Sequence, residues 1–332
     1  MSKLKGKNVF VSGADGFIGS HLVNILVQEG ANVQALVMYN SWNEIGWLKE
    51  LPKEKLDSIQ IINGDIRDTD LIRKLVKKAN YVFHLSSLIA IPYSYDAPHS
   101  YVETNINGAL NILNAAKDSD VIEKVIHVST SEVYGSAQTI PINETHPLVG
   151  QSPYSASKIA ADKMAESFNL SFGLPVIIAR PFNTYGPRQT ARAVIPTIAS
   201  QLASGLKEIK LGSISPTRDF NFVTDTAEGM VAVGLMNGFD GQVINIGSGV
   251  EYSIKDVFDI LSSIANINAE VVIDESRVRP EKSEVNRLLA DNSLIISNSN
   301  WRPKVKFHEG LEKTYNWISN NLDKFNVKDY AK

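Results

Sequence analysis

The sequence predicts an α/β fold in which a doubly wound parallel sheet is followed by a smaller, mixed α/β region. Short runs of β-branched apolar residues alternate with stretches whose apolar residues recur at helical spacing. These runs are apolar at nearly every position, which is typical of strands that helices cover on both faces of a parallel sheet. We assign residues 1–180 to this sheet and residues 181–332, where Pro and Gly interrupt the pattern, to a mainly substrate-binding region that is partly interleaved with it.

The elements of the first region alternate along the chain. The strand NVFVSG precedes the helix SHLVNILVQEG, which ends at Gly30, and the strand NVQALVMY follows. The strand IQIING, the helix DLIRKLVKK and the strand YVFHLSS repeat this unit. The helix NINGALNILNAAKDS, the strand KVIHVSTS, the helix SASKIAADKMAESFNLSFG and the strand PVIIARPF complete the region. Right-handed crossovers between these strands would place helices on both faces of the sheet.

The composition argues against several classes of protein. Hydrophobic residues make up 43% of the chain and charged residues 21%, as in folded globular proteins. With 33 Lys and Arg against 36 Asp and Glu, and no basic run, the chain lacks the positive surplus of a nucleic-acid binder. It has no cysteine, which excludes disulfides and thiol catalysis, and its scattered histidines indicate no metal site. Because we find neither a signal-peptide core nor a membrane span, we expect a cytoplasmic protein with no membrane partner.

A glycine-rich turn follows the first strand. Gly13, Gly16 and Gly19 are spaced three apart, and Phe17 and Ile18 open the helix that comes next. Glycine at these points permits a tight turn and lets backbone N–H groups approach a pyrophosphate, which the helix N-terminus also favours. A plain glycine-rich turn is the alternative, but the strand before it and the helix after it favour dinucleotide binding and a Rossmann domain.

Two groups of polar residues are candidates for catalysis. Tyr154 and Lys158 lie four apart in a predicted helix and so share one face, where an ammonium group would favour the phenolate form of the tyrosine. This spacing also arises by chance, so the pair gains weight from its neighbours. Thr130, Ser131 and Glu132 follow a predicted strand, at the edge where doubly wound sheets bind ligands.

Four motifs in this order, GADGFIGS, VSTSEVYG, YSASK and RPFNTYGPRQ, resemble the extended short-chain dehydrogenase/reductase family of nucleotide-sugar epimerases, dehydratases and decarboxylases. The resemblance covers nearly the whole chain. It implies that Thr130 hydrogen-bonds O4 of the sugar, that Tyr154 removes the O4 proton and that Lys158 binds the nicotinamide ribose. It also implies a homodimer formed through the long helices. The further cofactor contacts that it implies are Asp65, Ile66, Leu85, Ser86 and Ser129.

Glu132 adds a second base, which is typical of the family's 4,6-dehydratases. Once C4 is a ketone, a carboxylate can remove the C5 proton, and the 6-hydroxyl can leave. Ser131 stands where dTDP-glucose dehydratases have Asp and where GDP-mannose dehydratases have Ser. NDP-glucuronate decarboxylases also carry Thr-Ser-Glu, so a decarboxylase or a 4-epimerase remains the alternative. The segments SAQTIPINETHPLVGQSPYSASK and VMYNSWNEIGWL resemble the dehydratases of legionaminic-acid biosynthesis, which implies an NDP-N-acetylglucosamine substrate.

The resemblance also implies a set of substrate contacts in the second region. Asn183, Arg188, Arg218 and Arg279 match family segments near the diphosphate and the nucleoside. A guanidinium fork suits two phosphates. An exposed arginine or a turn-forming asparagine is the alternative at each position.

The cofactor is predicted to be NAD, with NADP left open. After the second strand the chain reads Val37, Met38, Tyr39, Asn40, where NAD enzymes carry an acid for the adenosine ribose. This segment also has no arginine for the extra phosphate of NADP, and the nearest cation downstream is Lys49.

Overall fold

A parallel sheet forms the centre of the computed structural model, which describes residues 3–327. The strands in this part of the chain are β1 (Asn8–Ser12), β2 (Asn32–Met38), β3 (Gln60–Gly64), β4 (Tyr81–His84), β5 (Lys124–Val128), β6 (Val176–Pro181), β7 (Asn183–Tyr185), β8 (Glu208–Leu211), β9 (Thr217–Phe222), β10 (Val243–Ile246), β11 (Glu251–Ser253), β12 (Glu270–Ile273) and β13 (Arg287–Leu288). The α-helices are α1 (Phe17–Gln28), α2 (Lys53–Leu56), α3 (Thr69–Val76), α4 (Ile91–Asp96), α5 (Pro98–Tyr101), α6 (Gly108–Lys117), α7 (Pro153–Phe172), α8 (Val194–Ala203), α9 (Val223–Gly234), α10 (Ile254–Ala265), α11 (Ser293–Asn298) and α12 (Phe307–Ser319). A π-helical turn, Val102–Asn107, joins α5 to α6.

The central sheet confirms the predicted fold class. Its spatial order is β10-β6-β5-β4-β1-β2-β3, and every neighbouring pair is parallel. All residues of β5 and β6 are buried, as expected for strands that helices cover on both faces. The chain order reverses between β1 and β4, which opens a crevice beyond the carboxyl ends of these two strands.

The helix α7 positions two of the candidate catalytic residues. Ser152 and Ser155 form a reciprocal capping box at its start, Pro153 occupies its first turn, and Gly173 ends it in the left-handed conformation at φ 67°. Tyr154 and Lys158 therefore lie in the first two turns of a firmly capped helix, next to the carboxyl edge of the sheet.

The second region is smaller and mixed. Strand β9 pairs with β7, β11 and β13 in one small sheet, and β8 pairs with β12 in another, while α8, α10 and α12 enclose a separate apolar core. The two regions interleave, since β10 extends the central sheet beside β6 and α9 packs against α1. Within residues 3–327, each helix is too short or too polar to cross a bilayer.

Candidate active site

A cavity of about 990 Å³ lies beyond the carboxyl ends of β1, β4 and β5, between the central sheet and the second region. This volume is at the upper end of the range for small-molecule sites, roughly 300–1,000 Å³. The sequence-predicted residues on its wall are Gly13, Gly16, Phe17, Ile18, Gly19, Asp65, Ile66, Leu85, Ser86, Ser129, Thr130, Ser131, Glu132, Tyr154, Lys158, Asn183, Arg218 and Arg279. The fold thus collects side chains that are up to 266 positions apart in the sequence.

The glycine turn leaves room for a phosphate against the backbone. Gly13 has φ 70°, and a Cβ there would lie 2.9 Å from the backbone nitrogen of Ser86. A Cβ at Gly19 would lie 2.0 Å from the Gly13 carbonyl oxygen, so the helix can approach the strand only without a side chain. Gly16 caps α1 with no side-chain hydrogen bond, which leaves the first N–H groups of the helix available to an anion. This geometry fits the pyrophosphate of a dinucleotide.

Thr130 and Tyr154 lie within hydrogen-bonding distance of each other on the cavity wall. Thr130 follows β5 in extended conformation, and its Oγ1 accepts a hydrogen bond from the Glu132 backbone N–H at 3.3 Å. Tyr154 is buried, and this burial raises the pKa of its phenol, while a hydrogen bond with Thr130 acts in the opposite direction.

The ammonium of Lys158 is held by the sheet and the following loop. Its Nζ donates to the Val128 carbonyl oxygen at 2.8 Å and to Ser87 Oγ at 3.1 Å. Burial lowers the pKa of Lys158 to about 8, against the attraction of the Asp162 carboxylate. Near neutral pH the ammonium is therefore largely charged but close to its titration midpoint.

Glu132 and Ser131 complete the wall beside Thr130. Both lie in a single 3₁₀ turn, Ser131–Tyr134, which Thr130 caps. Ser131 is buried and Glu132 is half-buried, with the Arg218 guanidinium close enough for its pKa to respond to the Glu132 charge. A carboxylate and a phenol thus share one wall of the same cavity.

Behind Lys158 lies a buried charge network that sequence reasoning missed. Asp162 accepts hydrogen bonds from Ser129 Oγ at 2.7 Å and from Arg180 Nη2 at 2.7 Å, and its other oxygen lies 3.3 Å from His127 Nε2. Burial alone would raise the pKa of Asp162, but Arg180 and His127 hold it well below its usual range. Asp162 is one helical turn after Lys158, so the spacing Tyr-Lys-Asp at intervals of four was the available signal.

The basic residues of the substrate side only partly match the sequence prediction. Arg218 Nη2 lies 3.3 Å and Arg279 Nη1 3.8 Å from the same oxygen of Glu284. Arg188 is a correction: it is not on the cavity wall, because its backbone turns at φ 74° and its guanidinium donates to Ser20 Oγ in α1 at 3.2 Å. Arg192 and Arg277, which the sequence analysis did not select, line the cavity instead.

Two buried polar atoms of the predicted substrate residues lack a hydrogen-bond partner within residues 3–327. They are Oδ1 of Asn183, an acceptor, and Nη1 of Arg279, a donor. Buried polar atoms are nearly always paired, so both are suited to contact a polar ligand. In the same part of the chain, no three His, Asp or Glu side chains group as a metal site would require.

Known proteins share both the sequence and the fold. A family model described as GDP-mannose 4,6 dehydratase matches residues 10–314. A dTDP-glucose 4,6-dehydratase of Actinoplanes sp. is 32% identical over 94% of this chain and 98% of its own length. A putative UDP-glucose 4-epimerase of Methanocaldococcus jannaschii is 30% identical over 94% of this chain and 99% of its own.

Solved structures with a similar fold also include nucleotide-sugar epimerases and dehydratases. A UDP-N-acetylglucosamine 4-epimerase from Methanobrevibacter ruminantium is 32% identical, with a TM-score of 0.85 over 96% of this chain and 99% of that one. A dTDP-glucose 4,6-dehydratase from Streptomyces venezuelae, solved with NAD bound, is 29% identical, with a TM-score of 0.82 over 96% and 98% of the two chains. The protein described here therefore belongs to the GDP-mannose 4,6-dehydratase family, within the extended short-chain dehydrogenases/reductases that its motifs resemble.

Proposed function

We propose that the chain is an NAD-dependent nucleotide-sugar 4,6-dehydratase, and that its substrate is an NDP-hexose of the N-acetylglucosamine type. The observation that carries the reaction class is the Glu132 carboxylate, which shares one cavity wall with Thr130 and Tyr154. The substrate assignment rests on the resemblance of the segments around Trp42 and Ile140 to dehydratases that act on NDP-N-acetylglucosamine. The NAD assignment is supported by the glycine turn at the N-terminus of α1 and by relatives crystallised with NAD.

The first step is oxidation at C4 of the sugar. NAD, when bound, would supply the acceptor for the C4 hydride and the donor for its return to C6. Tyr154 takes the O4 proton, and Thr130 holds O4 by a hydrogen bond. Lys158, whose Nζ lies between the Val128 carbonyl and Ser87, orients the ribose next to the reacting ring.

The second step is loss of water across C5 and C6. The C4 ketone makes the C5 proton acidic, and Glu132 accepts that proton as the C6–O bond breaks. We assign Ser131 a hydrogen bond to the departing hydroxyl, which leaves as water with the proton that Glu132 took from C5, while Tyr154 releases the O4 proton to solvent. A proton then returns to C5, and the product is the 4-keto-6-deoxy sugar, so the net change is loss of one water.

We assign the sugar diphosphate to Arg218 and Arg279, with Arg192 and Arg277 as additional cations and Asn183 as a polar contact. These four arginines line the same cavity, and guanidinium groups suit the charge and geometry of a diphosphate. Arg188 is left out of this assignment because its guanidinium binds α1.

A 4-epimerase is the second candidate, since several relatives are named as UDP-sugar 4-epimerases. That reaction needs Thr130 and Tyr154 but no carboxylate at C5. Decarboxylation of an NDP-glucuronate is the third possibility, because decarboxylases share Thr-Ser-Glu. Product mass separates the three reactions: water is lost, nothing is lost, or carbon dioxide is lost.

The sharpest test is Glu132→Gln, assayed with UDP- and GDP-linked N-acetylglucosamine in deuterated water. The amide keeps the size of the side chain but cannot accept the C5 proton. We expect wild type to lose water and to incorporate deuterium at C5, and the variant to form at least about 100-fold less product, the usual scale for a lost general base. In a single turnover the variant should still accumulate bound NADH.

Tyr154→Phe is the matched comparison, because it removes the first base and leaves Glu132 in place. This variant should form neither product nor bound NADH, since oxidation at C4 fails. Wild-type dehydration by Glu132→Gln would remove the carboxylate from the mechanism. A wild-type product with unchanged mass and no C5 deuterium would make the enzyme an epimerase.

We also propose that the enzyme is a homodimer that pairs through α6 and α7. Two large apolar side chains are exposed here: Val102, in the π-helical turn that leads into α6, and Leu170, in α7. Val102 is 42% and Leu170 is 78% exposed. A second copy of the chain would cover both helices.

A further inference from the structure

The carboxyl end of β2 lacks the acidic side chain that holds the adenosine ribose in most NAD-binding Rossmann folds. Met38 ends the strand, and Tyr39 and Asn40 follow. The amide of Asn40 is used within its own loop: its Nδ2 donates to the Met38 and Glu44 carbonyl oxygens at 3.2 and 2.8 Å, and its Oδ1 accepts from two backbone N–H groups. These three positions therefore supply no carboxylate to a ribose.

A carboxylate reaches the same place from the glycine turn. Oδ2 of Asp15 accepts a hydrogen bond from the backbone N–H of Met38 at 3.3 Å, so the acid lies across the end of β2. Asp15 is half-buried and lines the cavity between Gly16 and Met38. Within residues 3–327 the Asp15 carboxylate takes part in no ion pair, so it is available to a ligand. We propose that Asp15 replaces the missing acid, accepts a hydrogen bond from the adenosine ribose and excludes NADP.

The loop after β2 packs on Asp15 and fixes its position. The Asp15 carbonyl oxygen accepts from the Trp47 backbone N–H at 3.0 Å. Gly46, at φ 55°, approaches so closely that a Cβ there would lie 2.5 Å from the same oxygen. Trp47 in turn packs edge-on against Trp317 of α12, with ring centroids 5.4 Å apart. Asp15 is therefore held between the glycine turn and a loop that is anchored to the second region.

Electrostatics near Asp15 disfavour a 2′-phosphate. Arg67, on the cavity wall, is paired with Asp65 at 2.6 Å, and Lys49, the first cation after β2, is paired with Glu44 at 3.5 Å. A 2′-phosphate would bring about two negative charges next to the Asp15 carboxylate, and both of these cations already have a carboxylate partner. A ribose hydroxyl, in contrast, would donate a charge-assisted hydrogen bond to the same group.

The test is the ratio of NADP to NAD dissociation constants, measured by titration calorimetry on the full chain freed of nucleotide. We expect wild type to prefer NAD by about 100-fold or more, and Asp15→Asn to lower that preference about tenfold or more, since one charge-assisted hydrogen bond and one repulsion are lost. Asp15→Glu, which keeps the charge, should retain the preference, and thermal unfolding should show that both variants are folded.

Asp57→Asn is the matched control, because it removes one negative charge from an exposed residue that does not line the cavity. An unchanged ratio in Asp15→Asn, or an equal fall in Asp57→Asn, would overturn the inference. The inference rests on the proposed use of NAD but not on the sugar or on the reaction. Failure to dehydrate a sugar nucleotide would therefore leave it standing, whereas failure to bind either dinucleotide would overturn both proposals.

Discussion

At the scale of single residues, the buried ammonium of Lys158 lowers the stability of the folded protein in return for its role in the proposed reaction. Its ammonium is buried, with hydrogen bonds to one carbonyl and one hydroxyl, and burial lowers its pKa from 10.5 to about 8. Below pH 8 the folded state holds a charge that water would solvate better. In the proposed mechanism this proton is needed for cofactor binding, which accounts for the persistence of the cost.

This predicts that Lys158→Met stabilises the protein at pH 7 while abolishing activity. The unfolded chain keeps the lysine proton up to about pH 10.5, whereas the folded chain loses it near pH 8, so wild-type stability rises between these values relative to the variant. We expect a gain of about 1–3 kcal/mol in unfolding free energy at pH 7, shrinking towards pH 10. Urea unfolding of wild type and variant at pH 7 and pH 10 measures this difference in unfolding free energy. A destabilised variant at pH 7, or a gain that does not vary with pH, would contradict the prediction.

At the scale of elements, α7 carries the candidate catalytic residues Tyr154 and Lys158 and, one turn after Lys158, the buried carboxylate of Asp162. Asp162 binds Ser129 of the loop after β5 and Arg180 of β6, so it ties the helix to two central strands. Arg180 is buried, and its guanidinium also lies 4.7 Å from the centre of the Tyr134 ring. Without Asp162, this guanidinium would be a buried charge with no counterion.

Asp162→Asn should therefore cost about 3–5 kcal/mol of unfolding free energy, the usual cost of leaving one partner of a buried ion pair uncompensated. The control is Asp259→Asn in α10, whose carboxylate pairs with Lys255 on the exposed helix surface. That change should cost less than about 0.5 kcal/mol. Urea unfolding of both variants measures these free energies. Equal losses of unfolding free energy would show that the buried network stabilises the fold no more than a surface ion pair does.

Local sequence patterns predict some of these elements but not others. The strands β1 to β6 and the helices between them follow from local apolar patterns, which is why the fold class is confirmed. The place of β10 does not, because VINI is a short run in the second half of the chain, and only tertiary packing puts it beside β6. The arginines on the cavity wall are also not predictable from the motif, which cannot orient a side chain. Arg188 has a positive φ and is not on the wall, whereas Arg192 and Arg277 are.

At the scale of the whole molecule, the cavity depends on the interleaving of the two regions. Gly13, Thr130 and Tyr154 come from the first region, and Asn183, Arg218 and Arg279 come from the second. Helix α9 belongs to the second half of the chain but packs against α1, so the halves share the apolar core that lies beneath the glycine turn. The site therefore forms only when both regions are folded together.

The last prediction concerns assembly through exposed apolar side chains on α7 and just before α6. Leu170, at 78% exposed, and Val102, at 42%, would leave apolar surface in water in a monomer, and burial favours association by about 25 cal/mol per Å² of apolar area. We expect light scattering to give twice the chain mass of 36.5 kDa for wild type and a shift towards the monomer for Val102→Glu combined with Leu170→Glu, because a buried carboxylate without a partner is costly. Val250→Glu, at a 50% exposed position in the loop between β10 and β11, should leave the dimer intact. A monomeric wild type, or equal dissociation by Val250→Glu, would place the subunit contact elsewhere or remove it.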